Sequence, residues 1–326
     1  MNRKRKSRIA VLAIVCIFLT MLPAQLFAQS TQDTTAGSRL GGIDRYETAA
    51  LVAQNGWTKS DYAILSAGMN PNLVDALTAA PLAKKLAAPI LLTQGDTLNS
   101  FAEAELTRLG VKTVYVTSGI GTITANVLSR LAALGIQYEV LGGANRFETS
   151  VNIATKMDTA DKIVVATAYT NADALSVSAI AAAKGMPILL SPVDGLPQSV
   201  TDYLNSIKAK IKESYVVGGV GVLSNAVQAA LPNATRAWGP DRYATNVQVL
   251  KAFDSDLKYD RVYVANGTDN HLVDALVVSS LAAKTNSPIV LVADTLPTDT
   301  SAYLATKVNQ ETTAAALGGP TVVTDG

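Results

Sequence analysis

Three arginines recur in the same local sequence and could bind an anionic group. The three segments are Gly-Gly-Ile-Asp-Arg-Tyr-Glu-Thr at 41–48, Gly-Gly-Ala-Asn-Arg-Phe-Glu-Thr at 142–149 and Trp-Gly-Pro-Asp-Arg-Tyr-Ala-Thr at 238–245. A guanidinium presents a planar fork of donors that suits phosphate or carboxylate. We therefore rank Arg45, Arg146 and Arg242 first among the candidate binding residues.

The alternative role of these arginines is structural. The preceding residues, Asp44, Asn145 and Asp241, are typical helix N-caps, and Glu47 and Glu148 fit a capping box. Each arginine would then lie in the first helical turn, where the helix dipole favours an acid instead. This misplacement indicates either a binding role or a specific buried salt bridge, and the sequence leaves both open.

A second landmark, Asp-Ala-Leu, adds three carboxylates. It occurs at 75–77, 173–175 and 274–276, and a proline follows each aspartate after 14 residues. Asp75, Asp173 and Asp274 are candidates for binding, although a cap or first-turn acid explains them too. They could also pair with the arginines. Thr93 and Ser191 end the apolar strands after the prolines and are further candidates.

These landmarks mark three copies of a unit of about 100 residues, a size typical of a domain, so each copy should have its own core. The fold class is α/β: three tandem similar domains, each a mostly parallel sheet flanked by helices. In the first copy we expect strands at 62–66, 90–93, 111–117 and 137–141, and helices at 73–87, 100–109 and 123–134. The Ala- and Ser-rich helix after each Asp-Ala-Leu should be buried.

The Gly-x-Asp-Arg-Tyr-x-Thr motif, the Asp-Ala-Leu helix and the Pro-Ile-Leu-Leu-Thr strand, three times in order, resemble the type 2 cell wall-binding repeat family of Gram-positive surface proteins. The resemblance covers residues 38–326. It implies a pseudo-threefold arrangement and noncovalent attachment to an anionic secondary polymer of the cell wall. Family members usually carry a further domain. None follows the third copy here, which is C-terminally short, so we expect no autolysin activity.

The N-terminus predicts export. A basic segment and an apolar run of about 14 residues, too short to span a bilayer, are typical of a signal peptide at 1–28. A linker at 29–37 and repeats at 38–138, 139–235 and 236–326 would follow. Without the five basic residues of the signal, 22 Lys+Arg face 26 Asp+Glu, a net charge of −4. We expect a secreted, wall-associated protein with no stable membrane anchor and no nucleic-acid partner.

Catalysis has little support in the sequence. Cys16 lies in the predicted signal and His271 is the only histidine, so we expect no cofactor, no metal site and no catalytic triad. The turn at 218–224 lacks the full dinucleotide-binding fingerprint. Two alternatives to wall binding stay open: a wall-active hydrolase that uses carboxylates, and a purely structural surface-layer component. Repetition of the polar landmarks favours binding, since an active site usually breaks such symmetry.

Overall fold

Three parallel four-stranded sheets, each flanked by helices, make up the fold, which confirms the predicted class. The computed structural model describes residues 38–69, 73–158, 160–269 and 271–324. The predicted signal peptide and linker lie outside these described residues. In each sheet the second strand pairs with the first, the first with the third, and the third with a fourth strand.

The strands and helices follow the repeats along the chain. The strands are β1 Ser38–Leu40, β2 Tyr62–Ala67, β3 Ile90–Thr93, β4 Thr113–Val116, β5 Gln137–Val140, β6 Lys162–Thr167, β7 Ile188–Ser191, β8 Glu213–Val217, β9 Ala234–Ala237, β10 Arg261–Asn266, β11 Ile289–Val292 and β12 Thr313–Leu317. The helices are α1 Arg45–Gly56, α2 Leu73–Leu77, α3 Ala80–Lys85, α4 Ser100–Leu109, α5 Ala125–Ala133, α6 Arg146–Thr155, α7 Asn171–Lys184, α8 Gln198–Ile207, α9 Asn225–Ala229, α10 Arg242–Ala252, α11 Leu272–Thr285 and α12 Thr298–Leu304.

The fourth strand of each sheet leads into the next repeat. β5 completes the first sheet immediately before α6, and β9 completes the second sheet before α10. The third sheet takes its fourth strand from the start of the chain, because β1 pairs with β12 in parallel register, Leu40 opposite Leu317. Each repeat is thereby joined to the next by backbone pairing, and the first is joined to the third.

The helices after the Asp-Ala-Leu landmarks lie where the repeats meet. α3, α7 and α11 contact one another pairwise, and α11 also contacts α1. The predicted burial of these helices is confirmed, since residues 172–182 of α7 and 272–283 of α11 are all buried. Small alanine and serine side chains allow this close approach, because they leave little volume between the helix axes.

The expectation of a separate core in each repeat is wrong for the main core. One continuous hydrophobic cluster contains Leu65, Leu175 and Leu276, which belong to three different repeats. A second cluster, confined to the second repeat, covers the other face of its sheet. Because the central helices of different repeats pack on one another, the three repeats share one interior.

The single helix predicted over 73–87 is two helices, α2 and α3. Pro81 lies at the first turn of α3. Proline has no N–H and clashes with the carbonyl four residues earlier, so it fits a helix start but not a helix interior. Among the described residues, no helix is both long and apolar enough to cross a bilayer.

Candidate functional site

Each candidate arginine is the first residue of a helix, α1, α6 or α10, held there by a capped turn. The Asp44 carboxylate accepts hydrogen bonds from the N–H groups of Tyr46 and Glu47, and Asn145 caps α6 in the same way. Asp241 caps α10 by accepting a hydrogen bond from the N–H of Ala244. The threonine three residues after each arginine accepts a hydrogen bond from the glycine before the cap; Thr48 does so from Gly42 at 3.1 Å. The predicted caps are therefore present, and they fix the direction of the half-buried arginine side chains.

Every one of these arginines donates to the carbonyl that follows the first long strand of its own repeat. Arg45 Nη1 lies 2.6 Å from Gly68 O, and Arg242 Nη1 lies 2.7 Å from Gly267 O. Arg146 donates from Nη1 to Ala168 O. The guanidinium is thus held at the carboxyl edge of the sheet, and its Nε and Nη2 atoms donate no hydrogen bond to the described residues.

The candidate aspartates face these arginines across the boundaries between repeats. Asp75 of the first repeat faces Arg146 of the second, Asp173 of the second faces Arg242 of the third, and Asp274 of the third faces Arg45 of the first. Within the described residues, none of these pairs closes to an ion pair within 4.0 Å. The arginine and aspartate sets therefore meet at three equivalent junctions, as one sequence alternative allowed.

Burial makes the ionised form of the three junction carboxyl groups less stable. Burial raises the pKa of Asp75, Asp173 and Asp274 to about 6, and the positive charge of the facing arginine opposes that rise. Interaction with the Ser118 and Thr48 hydroxyls also lowers the pKa of Asp75 and Asp274, whereas Asp173 has no such neighbour. Because a group with a pKa of about 6 is mostly ionised at pH 7, each junction holds a carboxylate opposite its arginine.

Two of the junctions open into surface grooves. The 2/3 groove, of about 470 Å³, lies between the second and third repeats and is lined by Asp173, Gly219, Val222, Trp238 and Arg242 among others. The 3/1 groove, of about 400 Å³, lies between the third and first repeats and includes Asp44, Arg45, His271, Asp274 and Gly319. At the first junction, the Arg146 guanidinium lies 6.0 Å from the ring centre of the exposed Tyr169.

Thr93 and Ser191 are not brought to the junction grooves. Both are fully buried. Thr93 Oγ1 donates to Thr97 O and accepts a hydrogen bond from Asn99 N–H, while Ser191 Oγ donates to the carbonyls of Pro192 and Gly195. These hydroxyls hold the loop that follows each strand, which is a structural role, and we leave both residues out of the proposed site.

The groove residue that sequence reasoning missed is Trp238. It stands where the other two copies have glycine, Gly41 and Gly142. At those positions a side chain has no space: a Cβ on Gly41 would lie 2.2 Å from Gly318 O, and one on Gly142 would lie 2.1 Å from Gly119 N. A tryptophan at a glycine position of a repeated motif was the available signal.

Comparison with known proteins identifies these three units. The model of the family "Cell wall binding domain 2 (CWB2)" matches residues 39–128, 140–228 and 236–326. The chain belongs to this family. The resemblance noted in the sequence is thereby confirmed, and the junction grooves lie between successive CWB2 units of a wall-associated protein.

Relatives share the CWB2 part of the chain. The chain is 31% identical over 267 residues to the N-acetylmuramoyl-L-alanine amidase LytC of Bacillus subtilis, and 32% identical over 278 residues to the amidase enhancer of that organism. These matches cover 82% and 84% of the chain but 52% and 37% of the relatives. The chain therefore spans about half or less of the curated relatives' length.

Two proteins of Clostridium difficile with solved structures have a similar fold. Cwp6 superimposes with a TM-score of 0.80 and Cwp8 with 0.78, each at 30% sequence identity. Each match covers 86% of this chain, and 45% of Cwp6 or 49% of Cwp8. The similarity therefore extends over nearly all of the described CWB2 units.

Proposed function

We propose that this chain attaches noncovalently to the bacterial cell wall by binding an anionic secondary wall polymer at the junctions between its CWB2 units. The observation that carries the proposal is the recurrence of a half-buried arginine, opposite a carboxyl of raised pKa, at all three junctions. Such an arginine can present its remaining N–H donors to a phosphate or carboxylate of the polymer.

The proposed role is non-catalytic, and it includes export and a pseudo-threefold arrangement of the units. Three equivalent contacts suit a polymer with a repeating charge, because linked weak sites gain affinity through effective concentration. A hydrolase would need one carboxylate pair set apart from the repeats. Instead, the junction acids Asp75, Asp173 and Asp274 each face an arginine of the adjacent unit.

Isolated cell walls test this proposal. The purified chain is mixed with intact walls alone, with walls stripped of secondary polymer, and, as a competition control, with intact walls in the presence of excess purified polymer. We expect sedimentation with intact walls only. Binding to intact walls should also fall as salt rises, because screening weakens exposed charge attraction. Equal sedimentation with stripped walls would refute the proposal, and release of soluble wall fragments would indicate the hydrolase alternative.

A further inference from the structure

The three junctions differ in charge, and the 2/3 groove is the most acidic around its arginine. Arg242 Nη1 donates at 2.7 Å to Asp269 Oδ1 as well as to Gly267 O. The other two copies have Asn70 and Thr170 at the position of Asp269, so only this junction pairs its arginine with an added acid. Arg242 is therefore less suited than Arg45 or Arg146 to bind an anion.

The Asp173 carboxylate lies in this groove without a hydrogen-bond donor. It is 8% exposed and lines the groove, and no described residue donates a hydrogen bond to it. Gly218 lies beside it, since a Cβ on that glycine would lie 2.8 Å from Asp173 Oδ2. The two related junctions place Ser118 and Thr48 beside their carboxylates. The Asp173 oxygens are not among the fully buried polar atoms that lack a partner, so they are accessible from the groove as acceptors for a ligand hydroxyl.

An aromatic surface stands beside this carboxylate. Trp238 lines the same groove and is 52% exposed, whereas the other tryptophan of the chain, Trp57, is 5% exposed and donates through Nε1 to Ala87 O. Val220, also exposed, lines the same groove, and the Trp238 ring lies beside Gly219. The groove thus combines an apolar face with one fixed acceptor, which is the usual composition of a small-ligand site.

Resting on the proposed wall-polymer function, we infer that the 2/3 groove binds the ring of an uncharged sugar residue, whose apolar face stacks on Trp238 and whose hydroxyl donates to Asp173. A sugar ring offers both features at once, C–H groups on one face and hydroxyl donors at its edge. An anionic residue would meet Asp173, Asp241 and Asp269 around one guanidinium, and like charges disfavour it. The junctions therefore bind different parts of the polymer. Arg45 and Arg146 bind charged groups, and Trp238 binds a neutral sugar ring.

Tryptophan fluorescence tests the inference on the whole chain. Three probes are titrated: wall polymer from which phosphate has been chemically removed, chitooligosaccharides as uncharged analogues of the peptidoglycan glycan backbone, and inorganic phosphate. We expect the dephosphorylated polymer to change the emission of Trp238 and to protect it from acrylamide, while buried Trp57 stays unchanged. Inorganic phosphate should leave the emission unaltered. A response to chitooligosaccharides alone would assign the ring to peptidoglycan and overturn the wall-polymer assignment.

Three variants complete the test. Trp238→Gly, the residue of the other copies, should weaken binding of the dephosphorylated polymer about tenfold, and Trp238→Phe should keep most of it. Tyr138→Ala, an exposed aromatic outside the groove, is the matched control and should bind as the parent does. If folded Trp238→Gly binds intact walls and neutral oligosaccharides as tightly as the parent, the inference is wrong. Wall binding that survives stripping of the polymer would instead refute the proposed function.

Discussion

Arg45, at the start of the first repeat, faces Asp274 of the third repeat, at the opposite end of the described chain. The contact is possible because β1 pairs with β12 and brings the two repeats together. It has the same form as the contacts of Arg146 with Asp75 and of Arg242 with Asp173. The three junctions are thus comparable sites, and substitutions can be compared between them.

The arginines should contribute unequally to polymer binding. Arg45→Gln or Arg146→Gln should each weaken wall-polymer binding by about threefold to tenfold, and Arg242→Gln should have a smaller effect because Asp269 already pairs with it. The triple variant should nearly lose binding. Binding isotherms on purified polymer measure this. Arg130→Gln, which removes an exposed arginine paired with Glu103, is the control. A folded triple variant that binds like the parent would make the arginines structural.

The stability of the chain should fall as the pH rises from 5 to 7. The pKa of Asp75, Asp173 and Asp274 is about 6 in the folded chain, above the usual value of 3.8. The folded state therefore binds protons more tightly than the unfolded state. This stabilisation is present at low pH and is lost as the pH rises through 6, at about 1 kcal/mol per aspartate between pH 5 and 7.

Chemical denaturation at pH 5, 6 and 7 measures this effect. The groups that face the three carboxyls are Arg146 and Ser118, Arg242, and Arg45 and Thr48. Because His271 also lines the 3/1 groove with Asp274, it is replaced by Gln in both the parent and the variant, so that the difference in slope reports the aspartates. The triple Asp→Asn variant should show a flatter pH profile than the parent. An unchanged slope in that variant would assign the pH dependence to other groups.

Arg39 should be needed to hold β1 on the third sheet. Its Nη1 donates to Gly318 O and its Nη2 to Val323 O, each at 2.8 Å. Arg39→Ala should therefore lower the free energy of unfolding by about 1–3 kcal/mol, the range for partly buried hydrogen bonds from a charged donor. Arg130→Ala, which breaks an exposed ion pair with Glu103, should lower the free energy of unfolding much less, because solvent screens the pair. Equal losses from the two variants would argue against the role of Arg39.

Close packing of the central helices should make them intolerant of larger side chains. Ala181 is fully buried on α7, which contacts α3 and α11. Ala181→Leu should cost about 1–3 kcal/mol, because overpacking moves helices that belong to different repeats. Ala132→Leu, exposed on α5, should change the unfolding midpoint little. Thermal unfolding compares the two, and a tolerant Ala181 would mean that the helices are less tightly packed than described.

Local features could be predicted because the same sequence motif occurs in each repeat. The caps at Asp44, Asn145 and Asp241 and the buried Asp-Ala-Leu helices follow from residue type and spacing. The partners of the arginines were not predictable, since they depend on how one repeat packs on the next. The sequence left open which arginine would lie near which aspartate, and in the fold Arg45 faces Asp274 of another repeat.

Two further differences between the predicted and the observed structure are explained by the chemistry of single residues. Pro81 divides a predicted helix because its ring prevents the interior hydrogen bond. Thr93 and Ser191 looked accessible at strand ends, but their hydroxyls turn back to carbonyls of the following loop. In contrast, Trp238 was visible in the sequence as a departure from the repeat, and departures of this kind mark where equivalent sites acquire separate roles.

The pairing of β1 with β12 limits how many copies such a protein can have. In an open tandem array the last sheet keeps a vacant edge, and duplication can add units without disturbing the others. Here the outer edge of β12 is occupied by β1, and Arg39 secures that contact. A fourth copy inserted after the third would have to displace β1, and it would break the Arg45–Asp274 junction. Evolution can therefore vary the residues of each junction far more easily than the number of junctions.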